Sequence, residues 1–323
     1  MSTPQRFRDR DVVFANGVRG ETIDIPSANP LNYWQAISDP TAMPRVTVDG
    51  KLFLPAEAKG KSPVVVIVPG SLSIAASHLK HAQTLVGMGI AAFVLDPFGA
   101  RGVTSTVANQ AQFSFAASAW DVAAAVGVLA GHPALDRTRI GLQGHSRGGS
   151  AVLTGVARLF CETVHDRALG VRAVLAAYPW CGHQFLDPDV GATEVRVIVG
   201  DQDDWVSPQQ AQGYVQALRL RGADATIRIV AGAEHSFDRE EPIQHVPEAS
   251  VSPAAPTGYL ADDGAFLHPT EGKPDLKLTD RDLAVYALKA GYGLRGATIG
   301  SQGEQPALFR EEMTAFFRRT LLS

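Results

Sequence analysis

The feature that most limits how this chain can fold is a set of six short runs rich in apolar and β-branched residues. Each ends within two residues of a glycine or proline. Val64–Val68 stops at Pro69-Gly70, Ala91–Leu95 at Asp96-Pro97, Arg139–Gln143 at Gly144, Val171–Tyr178 at Pro179, Val195–Val199 at Gly200 and Ala225–Val230 at Ala231-Gly232. Short runs of this kind are the pattern of strands buried on both faces of a sheet. Between them lie helix-length stretches at Ser77–Met88, Phe113–Ala130, Arg147–Phe160 and Pro208–Arg221, and an amphipathic stretch at Pro306–Leu322 closes the chain. The fourth opens with Ser207 as N-cap and Pro208 at the first helical position. This alternation predicts a fold of the α/β class, with a mostly parallel central sheet and helices on both faces. In such sheets the active site lies beyond the carboxyl ends of the strands.

Two segments break the alternation. Residues 11–60 predict an antiparallel N-terminal edge, with Arg45–Leu54 as its clearest strand. Residues 239–280 are rich in Pro, Gly and Asp, and form the irregular part of an insertion, about 239–293, before the last helix. A loop of that length in a compact domain is functional or disordered. It is expected to border the active-site mouth and shape substrate choice, a homodimer contact being the alternative. The 323 residues are read as one domain, 1–323, because α/β folds often reach this size undivided.

Composition removes several function classes. Hydrophobic residues make up 45% and charged residues 19%, so a sizeable core is expected. A net charge of −4 supplies no electrostatic reason for a nucleic-acid or anionic-membrane partner. Cys161 and Cys181 fit neither a metal spacing nor a disulfide scaffold, which points to a reduced, cytoplasmic setting. Met1–Arg10 carries positive charge with no apolar run behind it, unlike a secretory signal. Ala116–Ala130 is too short to span a bilayer and contains Asp121.

Chemistry enters at Gly144-His145-Ser146-Arg147-Gly148, a G-x-S-x-G pentapeptide. By itself the pattern recurs by chance. Here a strand runs in and a helix runs out, the context in which a nucleophilic serine sits on a strained turn. The turn brings positions 144 and 148 together, leaving no room for side chains. It also points the serine oxygen at the positive end of a helix.

A serine nucleophile needs a base, and the base needs an orienting carboxylate. The chain order for this architecture is Ser, Asp or Glu, then His. Among His165, His183, His235, His245 and His268, His235 lies just past the last strand of the alternation, whereas His165 falls in or just after a helix and His245 and His268 in the irregular segment, so His235 is the expected base. The carboxylate should follow Val195–Val199, where Asp201, Asp203 and Asp204 are all available. The oxyanion donors should be backbone N–H groups in the loop holding Ser71 and Leu72, and that of Arg147.

These residues resemble the dienelactone hydrolase-like branch of the α/β-hydrolases. The resemblance runs from about Val46 to Phe237, with the closing helix as a looser continuation. It rests on Val65–Ser71, on Phe93–Gly102, on His132-Pro133, Asp136 and Arg139-Ile140 leading into Gly144–Gly149, on Tyr178-Pro179, and on the Gly-x-x-Asp at Gly200. Pro69 stands where the family usually has His, and Ser146 where the namesake enzymes have Cys. The resemblance implies the α/β-hydrolase fold and hydrolysis of small-molecule esters or lactones, with no metal or organic cofactor. Its Gly-x-x-Asp spacing selects Asp203 as the acid. A proline that commonly follows that Asp by four residues favours Asp204 instead, since Pro208 is five beyond Asp203. Ser207 is read as the extra residue, inserted to cap the next helix.

Arg101, His145, Trp180 and Trp205 are the candidate pocket residues. For Arg101 the commoner role is a structural one, paired with Asp96 or backbone carbonyls, and the tryptophans are equally suited to pack as buried aromatics. Cys181 and His183 read as pocket wall. An acyltransferase or peptidase would use the same triad, and a non-catalytic ligand-binding protein would share the fold alone.

Overall fold

The computed structural model describes residues 6–57, 60–165 and 170–323; Met1–Gln5, half of the N-terminal stretch considered above, lie outside the described residues. The chain enters through two strands, Glu21–Ala28 (β1) and Arg45–Phe53 (β2), with helix Tyr33–Ser38 (α1) between them. Strands Ser62–Val68 (β3), Ala91–Asp96 (β4), Leu135–His145 (β5) and Val171–Ala177 (β6) then alternate with helices Ala76–Gly87 (α2), Phe115–Ala130 (α3), Arg147–Gly155 (α4) and Arg158–His165 (α5). A short strand, His183–Phe185 (β7), precedes Glu194–Gly200 (β8), Pro208–Leu220 (α6) and Ala225–Val230 (β9). Eight of these strands form one sheet in the order β1-β2-β4-β3-β5-β6-β8-β9. The β1–β2 and β2–β4 pairs are antiparallel and all others parallel. Helices cover both sides, and the fold is that of the α/β-hydrolases.

Burial follows the apolar runs. Every residue of β3 and β4 is buried, as strands covered on both faces must be. Ser207 does cap α6: its side chain accepts a hydrogen bond from Gln210 N, with Pro208 in the first turn. The expected helix Arg147–Phe160 is interrupted at Val156-Ala157. There the Arg158 N–H turns to the carbonyl of Asp189 at 2.7 Å, and a second helix starts.

The segment after His235, expected to be irregular over 239–280, is instead regularly folded. It carries Gln244–Val251 (β10), Gly258–Leu260 (β11), Phe266–Leu267 (β12), Pro274–Asp275 (β13), helix Asp280–Lys289 (α7) and Leu294–Ile299 (β14), followed by Gln305–Leu321 (α8). β10 pairs with β14, and β13-β12-β11 add to β7 as a small second sheet. β11, β12 and β13 are only two or three residues long, too short to leave a periodic signal, and Pro247, Gly258 and Pro274 lie within strands. Leu260 and Phe266 are buried in the main core.

The topology also determines where chemistry collects. From β3 the chain moves outward to β4, then returns to the other side of β3 to form β5. The loops after β3 and β5 therefore diverge over one crevice at the carboxyl edge, the switch point where ligands bind in such sheets.

Candidate active site

Ser146 sits between β5 and α4 with φ 54° and ψ −117°. A non-glycine residue in that region is strained, and strain of this kind gathers at functional sites. The flanking glycines make the turn feasible. A Cβ on Gly144 would lie 2.1 Å from the Gly148 carbonyl oxygen, and one on Gly148 would lie 2.3 Å from that of Val68. Tyr178 and Ser236 also have positive φ and border the same cavity as Ser146.

His235 lies on the loop after β9. Its Nε2 is 2.9 Å from Ser146 Oγ, and its Nδ1 is 2.8 Å from Asp203 Oδ2. The other oxygen of Asp203 accepts the backbone N–H groups of Trp205 (3.0 Å) and Val206 (2.9 Å). All three side chains are buried. The carboxylate is thus held on one edge by the backbone and offers its free oxygen to the imidazole.

The three aspartates after β8 take different partners. Asp201 accepts the N–H of Gly232 at 2.7 Å, at the start of the His235 loop. Asp203 meets His235. Asp204 is exposed and accepts the N–H of Thr298 at 2.7 Å and its hydroxyl at 3.1 Å. Trp205 lies flat against the His235 ring, with centroids 5.1 Å apart and planes 19° from parallel.

The cavity at Ser146 is small, about 20 Å³, and is bordered by Gly70, Ser71, Leu72, His78, His145, Tyr178, Trp205, His235, Arg239 and Ile299 among others. Ser71 and Leu72 therefore stand where the β3 loop faces the nucleophile. Arg147 opens α4, and the N–H groups of a first helical turn have no partner within the helix. Its side chain points away from the cavity, lying over the rings of Phe113 and Phe115 and donating to Ser118 Oγ and the carbonyls of Gln110 and Phe113.

Other expected pocket residues lie elsewhere. Arg101 does not border the Ser146 cavity. Its guanidinium is buried against Asp121, at 2.6 Å, and also binds the carbonyls of Ala28 and Pro97 and the side chain of Asn29. Its carboxylate partner is thus Asp121, whereas Asp96 accepts the N–H groups of Phe98 and Gly99. Trp180 stacks on Phe115, centroids 4.4 Å apart, and together with Tyr33 and Phe266 surrounds His183. Burial lowers the His183 pKa to about 3 and raises that of Cys181 to about 12. A larger surface cavity, about 470 Å³, opens between Asn29–Leu31, Arg101, Phe113 and Asp280, but none of Ser146, Asp203 and His235 borders it.

One feature had no sequence signal. Behind Ser146, His81 Nε2 lies 2.8 Å from Asp238 Oδ2, the Tyr178 hydroxyl donates to Asp238 Oδ1 at 2.5 Å, and His145 Nδ1 lies 2.8 Å from that hydroxyl. The side-chain amide of Gln143 reaches His145 Nε2 at 2.9 Å. The direction of these bonds makes Gln143 the donor to Nε2 and leaves the His145 proton on Nδ1, facing Tyr178. Burial lowers the His145 pKa to about 3. Burial works to raise that of Asp238, but His145, His81 and Tyr178 together hold it well below the carboxylate range. His81, His145 and Asp238 offer ligand atoms within 4.8 Å of one another, the one metal-compatible group among the described residues. Within it, His81 Nε2 and Asp238 Oδ2 are partners of each other, and His145 Nδ1 meets the Tyr178 hydroxyl. His81 and Asp238 are 157 residues apart, which is why no spacing reveals them.

No helix of the described residues is long and apolar enough to cross a membrane. Solved structures that share the architecture include m3DLH and the esterase Est22. m3DLH is 17% identical, with 94% of this chain and 99% of that one covered at a TM-score of 0.56. The esterase Est22 is 16% identical, with 69% and 74% covered at a TM-score of 0.51. At these identities the likeness is one of fold. No curated protein matches the chain. The dienelactone hydrolase family model matches residues 48–257, which carry β3 to β9, Ser146, Asp203 and His235. The chain therefore belongs to the dienelactone hydrolase family, whose members are hydrolases of esters or lactones.

Proposed function

We propose that this protein cleaves carboxylic ester or lactone bonds of small molecules through an acyl-serine intermediate. The observation that carries the reading is the continuous chain Ser146 Oγ–His235–Asp203, with links of 2.9 and 2.8 Å, on a strained serine turn. In the first half-reaction, Ser146 Oγ attacks the carbonyl carbon while its proton passes to His235 Nε2. Asp203 holds the Nδ1–H and stabilises the imidazolium. The negative charge on the former carbonyl oxygen faces the backbone N–H groups of Arg147 and of the Ser71-Leu72 loop, donors each worth about 3–4 kcal/mol in comparable sites. Collapse expels the alkoxide, which takes the proton from His235. A water then repeats the cycle and releases the acid.

The reading is tested by labelling and by substitution. A fluorophosphonate should modify Ser146 alone, read by peptide mass spectrometry. Ser146→Ala should lower kcat on p-nitrophenyl acetate by about 10⁴ or more, since members of such a triad act as a unit. Labelling at another serine, or an active Ser146→Ala protein, would sink the assignment. Product analysis with added alcohols or amines separates hydrolysis from acyl transfer to those acceptors.

A further inference from the structure

The strand that closes over the nucleophile is β14, and it is held by the same loops that carry the acid and the base. Gly300 N donates to the carbonyl of His235 at 2.9 Å, and Ser301 N to that of Glu241 at 2.9 Å. On the other side Asp204, next in sequence to Asp203, accepts both the N–H and the hydroxyl of Thr298. Between these anchors stands Ile299, which is buried (3% exposed) and borders the Ser146 cavity. A cavity of about 20 Å³ has room for little more than one water-sized group.

We propose that Ile299 is the specificity-determining wall of the acyl pocket, and that Asp204 is a positioning residue that holds it there through Thr298. This rests on Ser146 being the nucleophile. The acyl group bound to Ser146 has to occupy the space that Ile299 bounds, so short acyl chains fit and long ones collide with a strand end pinned on both sides of Ile299. The role differs from that of Asp203: the Asp204 carboxylate bonds Thr298, whereas His235 bonds Asp203 and Ser146, and Asp204 acts by fixing β14. It also explains why two adjacent aspartates both carry ordered partners 32 and 94 residues away. Asp204 is exposed, so its two bonds contribute less than buried ones would, and the anchors at Gly300 and Ser301 remain when it is removed.

The test compares kcat/KM for p-nitrophenyl acetate and octanoate. A hydrophobic pocket discriminates one methylene by roughly 10–200-fold. Ile299→Ala should therefore raise the octanoate-to-acetate ratio by about tenfold or more. Asp204→Ala should move the ratio the same way but less, several-fold, and Asp204→Asn should largely restore it because the amide oxygen still accepts the Thr298 N–H. In the Ile299→Ala/Asp204→Ala double variant the shifts should fall short of additivity, since both act on one wall. A merely structural role would lower both substrates alike and leave the ratio unmoved, and that result would overturn the proposal. Thr298→Val, which removes one of the two bonds, carries the same test if Asp204→Ala does not fold. Ser146→Ala serves as the control: if it still turns over both esters, the nucleophile assignment fails; if it is inactive and the ratios do not move, only the present proposal fails.

Discussion

Replacing Asp203 by asparagine poses a question that the hydrogen bonds around it answer. Oδ1 accepts two backbone N–H groups, at 3.0 and 2.9 Å, and Oδ2 meets His235 Nδ1 at 2.8 Å. An asparagine amide has one acceptor and one donor end. If its NH2 faced Trp205 and Val206, two buried N–H groups would lose their acceptor, at about 1–3 kcal/mol each. The amide should therefore keep its oxygen on the backbone and turn its NH2 to His235. The imidazole must then accept at Nδ1 and carry its proton on Nε2, pointing at Ser146 Oγ. It can no longer take the serine proton. The wrong tautomer costs about 10⁴ in kcat in comparable triads, equivalent to about 5 kcal/mol of barrier. Asp204→Asn, whose carboxylate faces Thr298, should lose less than about tenfold on the same scale. Initial rates on p-nitrophenyl acetate, with folding checked by circular dichroism, decide the matter. If Asp204→Asn shows the large loss and Asp203→Asn the small one, the tautomer argument is wrong and Asp204 is the acid.

Two further outcomes are expected. Prolonged dialysis against a chelator should leave esterase activity unchanged, because the proposed mechanism runs through Ser146, His235 and Asp203 alone; a tenfold loss restored by Zn²⁺ would refute that mechanism. Asp280 is buried, which raises its pKa from 3.8 to about 6 although Phe115 N donates to it. The folded state therefore holds the Asp280 proton more tightly than the unfolded chain, so its contribution is fully present below about pH 4 and declines as the pH rises through about 6, by about 3 kcal/mol in total. Asp280→Asn keeps an acceptor for Phe115 N but cannot ionise. Its unfolding free energy in urea relative to the parent should rise between pH 4 and 7.5, and a difference that stays constant over that range would contradict the burial argument.

Much of the fold is legible because its signals are local. Val64–Val68 and Ala91–Leu95 read as strands because burial on both faces requires continuous apolar residues, and Ser207-Pro208 reads as a helix start because capping is decided within four residues. Gly144 and Gly148 mark the serine turn through a steric demand felt inside five residues. His235 and the Asp201–Asp204 turn could be found because the parallel sheet delivers successive loops to one edge. Among the three aspartates the Gly-x-x-Asp spacing of the resemblance selects Asp203, but which partner each carboxylate reaches is decided only by the tertiary structure. The segment after His235 was read as irregular because strands of two or three residues, such as β12 and β13, are too short to show a period of two. They form because β7 and the core offer them an edge and a cover. The Asp238 network, the pairing of Arg101 with Asp121 and the Asp204–Thr298 anchor lie beyond any local reading. Each depends on residues 20 to 157 positions apart in sequence: the buried Arg101 and Asp238 groups find such partners because the packed sheet has removed water, and the exposed Asp204 meets Thr298 because the fold sets β14 beside the loop after β8.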